Sequence, residues 1–90
     1  MIPVNEPIIG AAEKQYVMDC LDSGWISSEG EYVTKFEQEF ASYIGMTDGT
    51  AVCNGTAAVE VALYAVGVGE GDEVILPTFA IASCFIAILR

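Results

Sequence analysis

Two amphipathic helices are predicted in the first half of the chain. Over residues 9–23 the apolar side chains recur at helical spacing, and Gly24 stands where a helix would end. The apolar face of this helix consists of Ile9, Ala12, Tyr16, Val17 and Cys20. A second helix is predicted over about residues 31–44, and its apolar stripe consists of Val33, Phe36, Phe40, Tyr43 and Ile44. Both patterns are typical of surface helices, so we expect their aromatic residues to pack in a core rather than to form a ligand cage.

The second half of the chain has short apolar runs in place of amphipathic stripes. Strands are predicted over residues 50–53 and 74–76, and helices over residues 57–66 and 79–89. The first of these helices has Glu60 as its only charge, so we expect it to be buried nearly all round. The apolar run at residues 74–76 is typical of a fully buried parallel strand. Strands that alternate with helices predict an α/β fold.

The chain is short and apolar for an independent domain. It has 90 residues, of which 53% are hydrophobic, and its mean hydropathy is +0.49. Two isolated strands make an inadequate sheet, and no Gly, Asn or Pro closes the predicted last helix before Arg90. We therefore expect the sequence to be the N-terminal part of a longer protein whose core covers these apolar faces.

The charge balance narrows the classes of partner. The chain has 13 acidic and 3 basic residues, for a net charge of −10. Nucleic acids and anionic membrane surfaces bind clustered Lys and Arg, so we expect neither as a partner. The longest apolar stretch, residues 79–89, is shorter than the roughly 20 residues that span a bilayer.

The residue types also limit metal and thiol chemistry. Histidine is absent, which removes the commonest general base and the commonest metal ligand, so no metal site is predicted. The cysteines Cys20, Cys53 and Cys84 are widely spaced and form no CxxC motif, so we expect buried free thiols in a reducing cytoplasm. The first residues show neither the basic nor the apolar region of a signal peptide, which also favours the cytoplasm.

The segment at residues 53–58, Cys-Asn-Gly-Thr-Ala-Ala, joins a predicted strand to a predicted helix and suits an anion. Gly55 allows a close approach to the backbone, and the N–H groups of Thr56, Ala57 and Ala58 lie at the positive end of the helix dipole. The Thr56 hydroxyl can add a bond. The same residues also fit a plain strand–helix turn in which Asn54 is the N-cap, and the sequence leaves both interpretations open.

Four motifs stand in order along the chain. They are Pro-Val-Asn-Glu-Pro at 3–7, Ser-Gly-Trp-Ile-Ser-Ser-Glu-Gly at 23–30, Asn-Gly-Thr-Ala-Ala at 54–58 and Gly-Asp-Glu-Val-Ile-Leu-Pro-Thr-Phe at 71–79. Together they resemble the DegT-type sugar aminotransferases, and most closely the perosamine-synthase-like branch. The resemblance implies a pyridoxal 5'-phosphate (PLP)-dependent transferase of the aspartate aminotransferase-like type I fold. This chain would then hold the N-terminal helices (1–46) and the start of the large α/β domain (47–90).

The resemblance also implies an activity and a set of site residues. Members are homodimers that transfer an amino group, usually from glutamate, to a keto carbon of a nucleotide-linked deoxysugar. Gly55, Thr56 and Ala57 would bind the cofactor phosphate, and Ile81 falls where many members place an aromatic residue over the cofactor ring. Trp25 and Ser27 would lie on the sugar–nucleotide side of the site; the alternative is that Trp25 only packs its loop.

No catalytic residue is predicted within the chain. The family's catalytic lysine lies beyond position 90, and the only lysines here, Lys14 and Lys35, fall on polar helix faces. We therefore expect the chain alone to be inactive. Two other interpretations remain open: a truncated, non-catalytic interaction or assembly module, and an unrelated α/β anion-binding domain.

Overall fold

The chain forms four α-helices. The computed structural model describes residues 1–90, and its helices are α1 (Ala11–Ser23), α2 (Glu31–Tyr43), α3 (Gly55–Ala65) and α4 (Ala82–Leu89). The chain divides into two compact units, Met1–Gly49 and Thr50–Arg90, and each unit holds two helices.

In the first unit, the two predicted helices are confirmed and their ends have local causes. The Glu13 carboxylate accepts the N–H of Gly10 over 2.6 Å at the start of α1. The helix ends at Gly24, whose φ of 75° is a left-handed conformation that favours glycine. After α2 the chain turns back and passes close to the helix at Gly49. A Cβ at this position would lie 3.0 Å from the carbonyl oxygen of Glu37. A larger residue at position 49 would therefore require the backbone to shift.

In the second unit, α3 packs against α4. Arg90 and Glu60 join the two helices through an ion pair of 2.9 Å. The expectation that the helix after residue 56 is buried nearly all round is wrong, since no residue of α3 is buried and Tyr64 is 85% exposed. The reason is that α4 is the one element that packs against α3, so the opposite face has no neighbour.

The two predicted strands are absent, and the structure is all helical where the sequence predicted an α/β fold. Residues 50–53 and 74–76 form no strand, and α4 begins at Ala82 rather than at 79. A strand is stabilised by hydrogen bonds to a neighbouring strand, and two short strands cannot form a stable sheet. The apolar patterns at these positions therefore have no partner within the chain.

Few apolar side chains are buried, although more than half of the residues are hydrophobic. Ala41 and Ala87 are the buried hydrophobic residues, whereas Ile75 and Phe79 are almost completely exposed. The predicted burial of the thiols is wrong in part: all three cysteines are free, but Cys53 is exposed and the other two are half-buried. No helix of this structure is both long and apolar enough to cross a membrane.

Candidate functional site

The start of α3 presents free backbone donors. Asn54 is the N-cap of the helix, and its side-chain oxygen accepts the N–H of Ala57 over 2.9 Å. The Asn54 carbonyl accepts the N–H of Ala58 over 3.1 Å. The N–H groups of Gly55 and Thr56, the first two of the helix, have no hydrogen-bond partner. They lie at the positive end of the helix dipole, which is the arrangement that binds anions in many proteins.

The space around this helix start is open. A Cβ on Gly55 would meet no atom within 4 Å, so an anion can approach the backbone closely at this residue. Thr56 is half-buried, and its hydroxyl makes no hydrogen bond. The free donors thus consist of two amides and one hydroxyl from consecutive residues.

The structure refines which amides are available. The residue pattern had suggested the amides of Thr56, Ala57 and Ala58, but the last two already donate to Asn54. The family resemblance had implied Gly55, Thr56 and Ala57, and of these the amides of Gly55 and Thr56 are free. The N-cap role of Asn54 is therefore compatible with an anion site in which Gly55 and Thr56 would be the donors. The amide of Ala57 would become available only if the Asn54 side chain turned away. The assignment of these residues to a cofactor stays a prediction.

Ile81 lies at the other helix of the second unit. It is the N-cap of α4, with φ −65° and ψ 140°, and its side chain is 77% exposed. Phe79, two residues earlier, is 99% exposed. Both side chains are therefore free to cover a flat ligand, and neither is used in packing the helices.

In the first unit, Trp25 and Ser27 line the same cavity. The cavity has a volume of about 370 Å³ and lies beside the 24–30 loop that connects α1 and α2. Its other lining residues are Asp19, Cys20, Ser23, Ile26, Gly30, Glu31, Tyr32 and Val33. Trp25 is 58% exposed, so its indole is only partly used in packing the loop. The lining offers an aromatic ring, hydroxyls and carboxylates, and it includes no Lys or Arg.

A hydrogen bond across this cavity was not predicted from the sequence. Tyr32 Oη donates to Asp19 Oδ2 over 2.9 Å, and the rings of Tyr16 and Tyr32 lie 5.2 Å apart. The hydrogen bond with Asp19, followed by partial burial, raises the pKa of Tyr32 to about 12, so the hydroxyl stays protonated at neutral pH. Helical periodicity gave one relevant signal, because Tyr16 and Asp19 lie three residues apart and so share one side of α1.

Neither lysine lies in a position suited to nucleophilic catalysis. Lys14 is exposed on α1, and Lys35 forms an exposed ion pair of 3.9 Å with Glu39. A catalytic amine needs a desolvated site or a neighbouring cation, and the surroundings of these two residues offer neither. No group of three or more Cys, Asp or Glu side chains is arranged to hold a metal ion.

Comparison with known proteins identifies the family. The DegT/DnrJ/EryC1/StrS aminotransferase family matches residues 7–90, and the chain belongs to this family. The chain is 51% identical over 79 residues to the GDP-perosamine synthase of Vibrio cholerae, covering 88% of this chain and 22% of that protein. It is 53% identical over 77 residues to the GDP-perosamine synthase of Escherichia coli O157:H7, covering 86% of this chain and 21% of that protein.

A third relative is named for a different role. The spore coat polysaccharide biosynthesis protein SpsC of Bacillus subtilis is 44% identical over 82 residues, covering 91% of this chain and 21% of that protein. The chain thus spans about a fifth of the length of these relatives. No solved structure matches it. Aminotransferases of this family depend in general on PLP, and family membership implies their type I fold.

Proposed function

We propose that this chain is the N-terminal portion of a PLP-dependent aminotransferase that acts on a nucleotide-linked 4-keto-6-deoxysugar, with glutamate as the amino donor. The observation that carries the proposal is the family match over residues 7–90, together with 51–53% identity to two GDP-perosamine synthases. The free donors at the start of α3 support it, because they offer an anion site in a chain with few cations.

In this proposal the start of α3 holds the phosphate of the cofactor. The amides of Gly55 and Thr56 and the hydroxyl of Thr56 fit a phosphate, and the open space at Gly55 admits it. Ala57 adds a third amide if Asn54 releases it. Ile81 gives the cofactor ring an apolar contact but lacks the aromatic stacking gain of about 0.5–1.5 kcal/mol. The cofactor, when bound, supplies the electron sink that amino-group transfer requires.

The loop cavity of the first unit is proposed to contact the sugar. Its ring and hydroxyl groups, from Trp25 and Ser27, suit a neutral sugar, for which stacking and hydrogen bonds are the main interactions. Because no Lys or Arg lines the cavity, the charge of the substrate's diphosphate must be balanced by residues elsewhere in the enzyme. The catalytic lysine must also come from elsewhere in the enzyme, since Lys14 and Lys35 are surface residues.

We further propose a homodimer located in the cytoplasm. The many exposed apolar side chains of α3 and α4 are of the kind that subunit or domain interfaces cover. Three free cysteines and no disulfide suit a reducing compartment.

A hybrid enzyme tests the proposal. In this hybrid, the present chain replaces the segment of the Vibrio cholerae GDP-perosamine synthase that aligns with it. We expect the hybrid to bind PLP and to form GDP-perosamine from its 4-keto precursor with glutamate as donor. A second hybrid with Gly55→Val serves as the matched control and should lose the cofactor. A hybrid that folds and yet binds no cofactor would contradict the proposal.

A further inference from the structure

The loop that holds Trp25 and Ser27 is closed by one side-chain hydrogen bond between the helices it connects. Tyr32, in the first turn of α2, donates to Asp19 of α1 over 2.9 Å across 13 positions of sequence. The second carboxylate oxygen of Asp19 accepts from Gln15 Nε2 over 2.7 Å, which fixes the orientation of the carboxylate. Tyr16 adds a ring contact with Tyr32, with the ring planes at 57°. These contacts fix the end of α1 against the start of α2, and the whole loop lies between them.

The other bonds of the loop are short-range and fix only local turns. The N–H of Ile26 donates to Gly24 over 3.1 Å, and the N–H of Gly30 donates to Ser27 over 3.3 Å. Packing adds little restraint, because Trp25 and Ile26 are 58% and 77% exposed. A loop whose ends are not held together samples many arrangements, at an entropic cost when a ligand selects one of them. The hydrogen bond between Tyr32 and Asp19 is therefore the side-chain contact that sets the distance between the two ends.

We propose that Tyr32 and Asp19 are positioning residues for the nucleotide sugar, which act by holding the Trp25–Ser27 loop in its binding arrangement. The inference rests on the proposed function, because it takes Trp25 and Ser27 to face the substrate. The Tyr32 hydroxyl and the Asp19 carboxylate are committed to each other, so their effect reaches the sugar through the loop. Their loss should weaken binding of the sugar while leaving the transfer of the amino group intact.

Kinetics of the hybrid test this inference. Tyr32→Phe removes the hydroxyl and keeps the ring contact, and we expect it to raise KM for the nucleotide sugar about three- to tenfold. KM for glutamate and kcat should change less than about twofold, within the effect of a surface substitution. Tyr16→Phe is the matched control, since the Tyr16 hydroxyl makes no hydrogen bond, and it should leave all three constants unchanged.

Two variants of the acceptor test whether the bond itself is responsible. Asp19→Ala removes the acceptor and should reproduce the effect of Tyr32→Phe. Asp19→Asn keeps a carbonyl oxygen that can accept from Tyr32 and should restore KM to near the parent value. If Asp19→Asn behaves like Asp19→Ala, or if Tyr32→Phe behaves like Tyr16→Phe, the positioning role is overturned.

The outcomes separate this inference from the proposed function. An active hybrid in which Trp25→Ala raises KM for the sugar and Tyr32→Phe does not would leave the function standing and overturn the inference. An inactive parent hybrid would count against the function. In that case hydrogen exchange at the amides of Ile26 and Gly30 still tests the positioning role of Tyr32. Faster exchange in Tyr32→Phe than in Tyr16→Phe supports the positioning role, and equal exchange overturns it.

Discussion

Within each of the two compact units, the helices are connected by a different kind of contact. In the unit Met1–Gly49, polar side chains connect and cap the helices, as between Tyr32 and Asp19 or between Glu13 and Gly10. In the unit Thr50–Arg90, α3 has a single charged residue and α4 has none, and one ion pair between Glu60 and Arg90 accompanies their packing. Both units leave most of their large apolar side chains exposed, and α3 and α4 of the second unit are the helices that pack against each other.

This difference extends to the candidate sites. The loop cavity of the first unit is formed by side chains, among them Trp25, Ser27 and Tyr32. The proposed phosphate site of the second unit is formed mainly by backbone N–H groups at the start of α3. A backbone site needs no cation, so it is compatible with the acidic composition of the chain. In the proposed function, side chains would thus contact the substrate and backbone groups would contact the cofactor.

The largest expected effect concerns the covalent chemistry, because both lysines of the first unit are exposed and have no activating neighbour. The chain without the rest of the enzyme should show no transaminase activity. Treatment with PLP and borohydride, followed by intact mass and peptide mapping, should give no stoichiometric adduct at Lys14 or Lys35. The active hybrid, treated in parallel, is the positive control. A full adduct at Lys14 or Lys35 would show that a surface lysine is activated, and it would contradict the prediction that the chain alone is inactive.

The next effect concerns the backbone site. In the hybrid, Thr56→Val deletes one hydrogen bond to a charged phosphate and should weaken PLP binding by about 1.5–3 kcal/mol, roughly 10- to 100-fold. Gly55→Val should weaken it more, because a branched side chain would occupy the open space at the free amides. Cofactor titration followed by absorbance gives both affinities.

A matched substitution in the first unit controls for the change of residue type. Thr34 is exposed on α2, so Thr34→Val should leave PLP affinity unchanged. Equal PLP affinity in the parent hybrid and in Gly55→Val would contradict the assignment of the cofactor phosphate to the start of α3. The proposal that the first unit contacts the substrate and the second the cofactor would then lose its support.

A smaller effect concerns association of the 90-residue chain by itself. The exposed apolar surface of α3 should drive the chain into oligomers, since Val61 is 52% and Tyr64 is 85% exposed. Val61→Lys and Tyr64→Lys together should reduce the mass measured by light scattering. Thr34→Lys and Ser42→Lys add the same charge to exposed positions of α2 and should reduce it less. A soluble monomer with a sharp, reversible unfolding transition would refute the expectation for the parent chain.

The sequence predicts the helices of the first unit well because their information is local. Each apolar stripe lies within a few turns of the glycine that ends its helix. These glycines are Gly24, with φ 75°, and Gly45, with φ 73°. The strands at 50–53 and 74–76 could not be settled in this way, because a strand requires a partner that this chain does not supply. The start of α3 was predicted two residues late, since the capping bond from Asn54 brings Gly55 and Thr56 into the helix.

The candidate sites show the same limit. The position of the proposed phosphate site follows from Asn54–Gly55–Thr56, but which amides are free depends on the orientation of the Asn54 side chain, which the sequence does not specify. The bond between Tyr32 and Asp19 was missed because Asp19 falls on the polar face of its helix and its partner lies 13 residues away. Periodicity places Asp19 near Tyr16 on α1, but it does not identify the partner on α2, because that depends on how the two helices are arranged.

The smallest expected effect is a pH dependence that belongs to the first unit. The folded state raises the pKa of Tyr32 from 10.0 to about 12, first through its hydrogen bond to Asp19, then through partial burial and the nearby Asp19, Cys20 and Tyr16. The protonated hydroxyl is thus favoured in the folded state. Its contribution to stability is fully present below pH 10 and is lost as the pH rises through about 12. Tyrosinate absorbance of the hybrid, with the Tyr32→Phe titration subtracted, should show one group that ionises near pH 12. If this group instead ionises near pH 10, the hydrogen bond to Asp19 does not persist in solution, and the side-chain connection between α1 and α2 that distinguishes the first unit is lost.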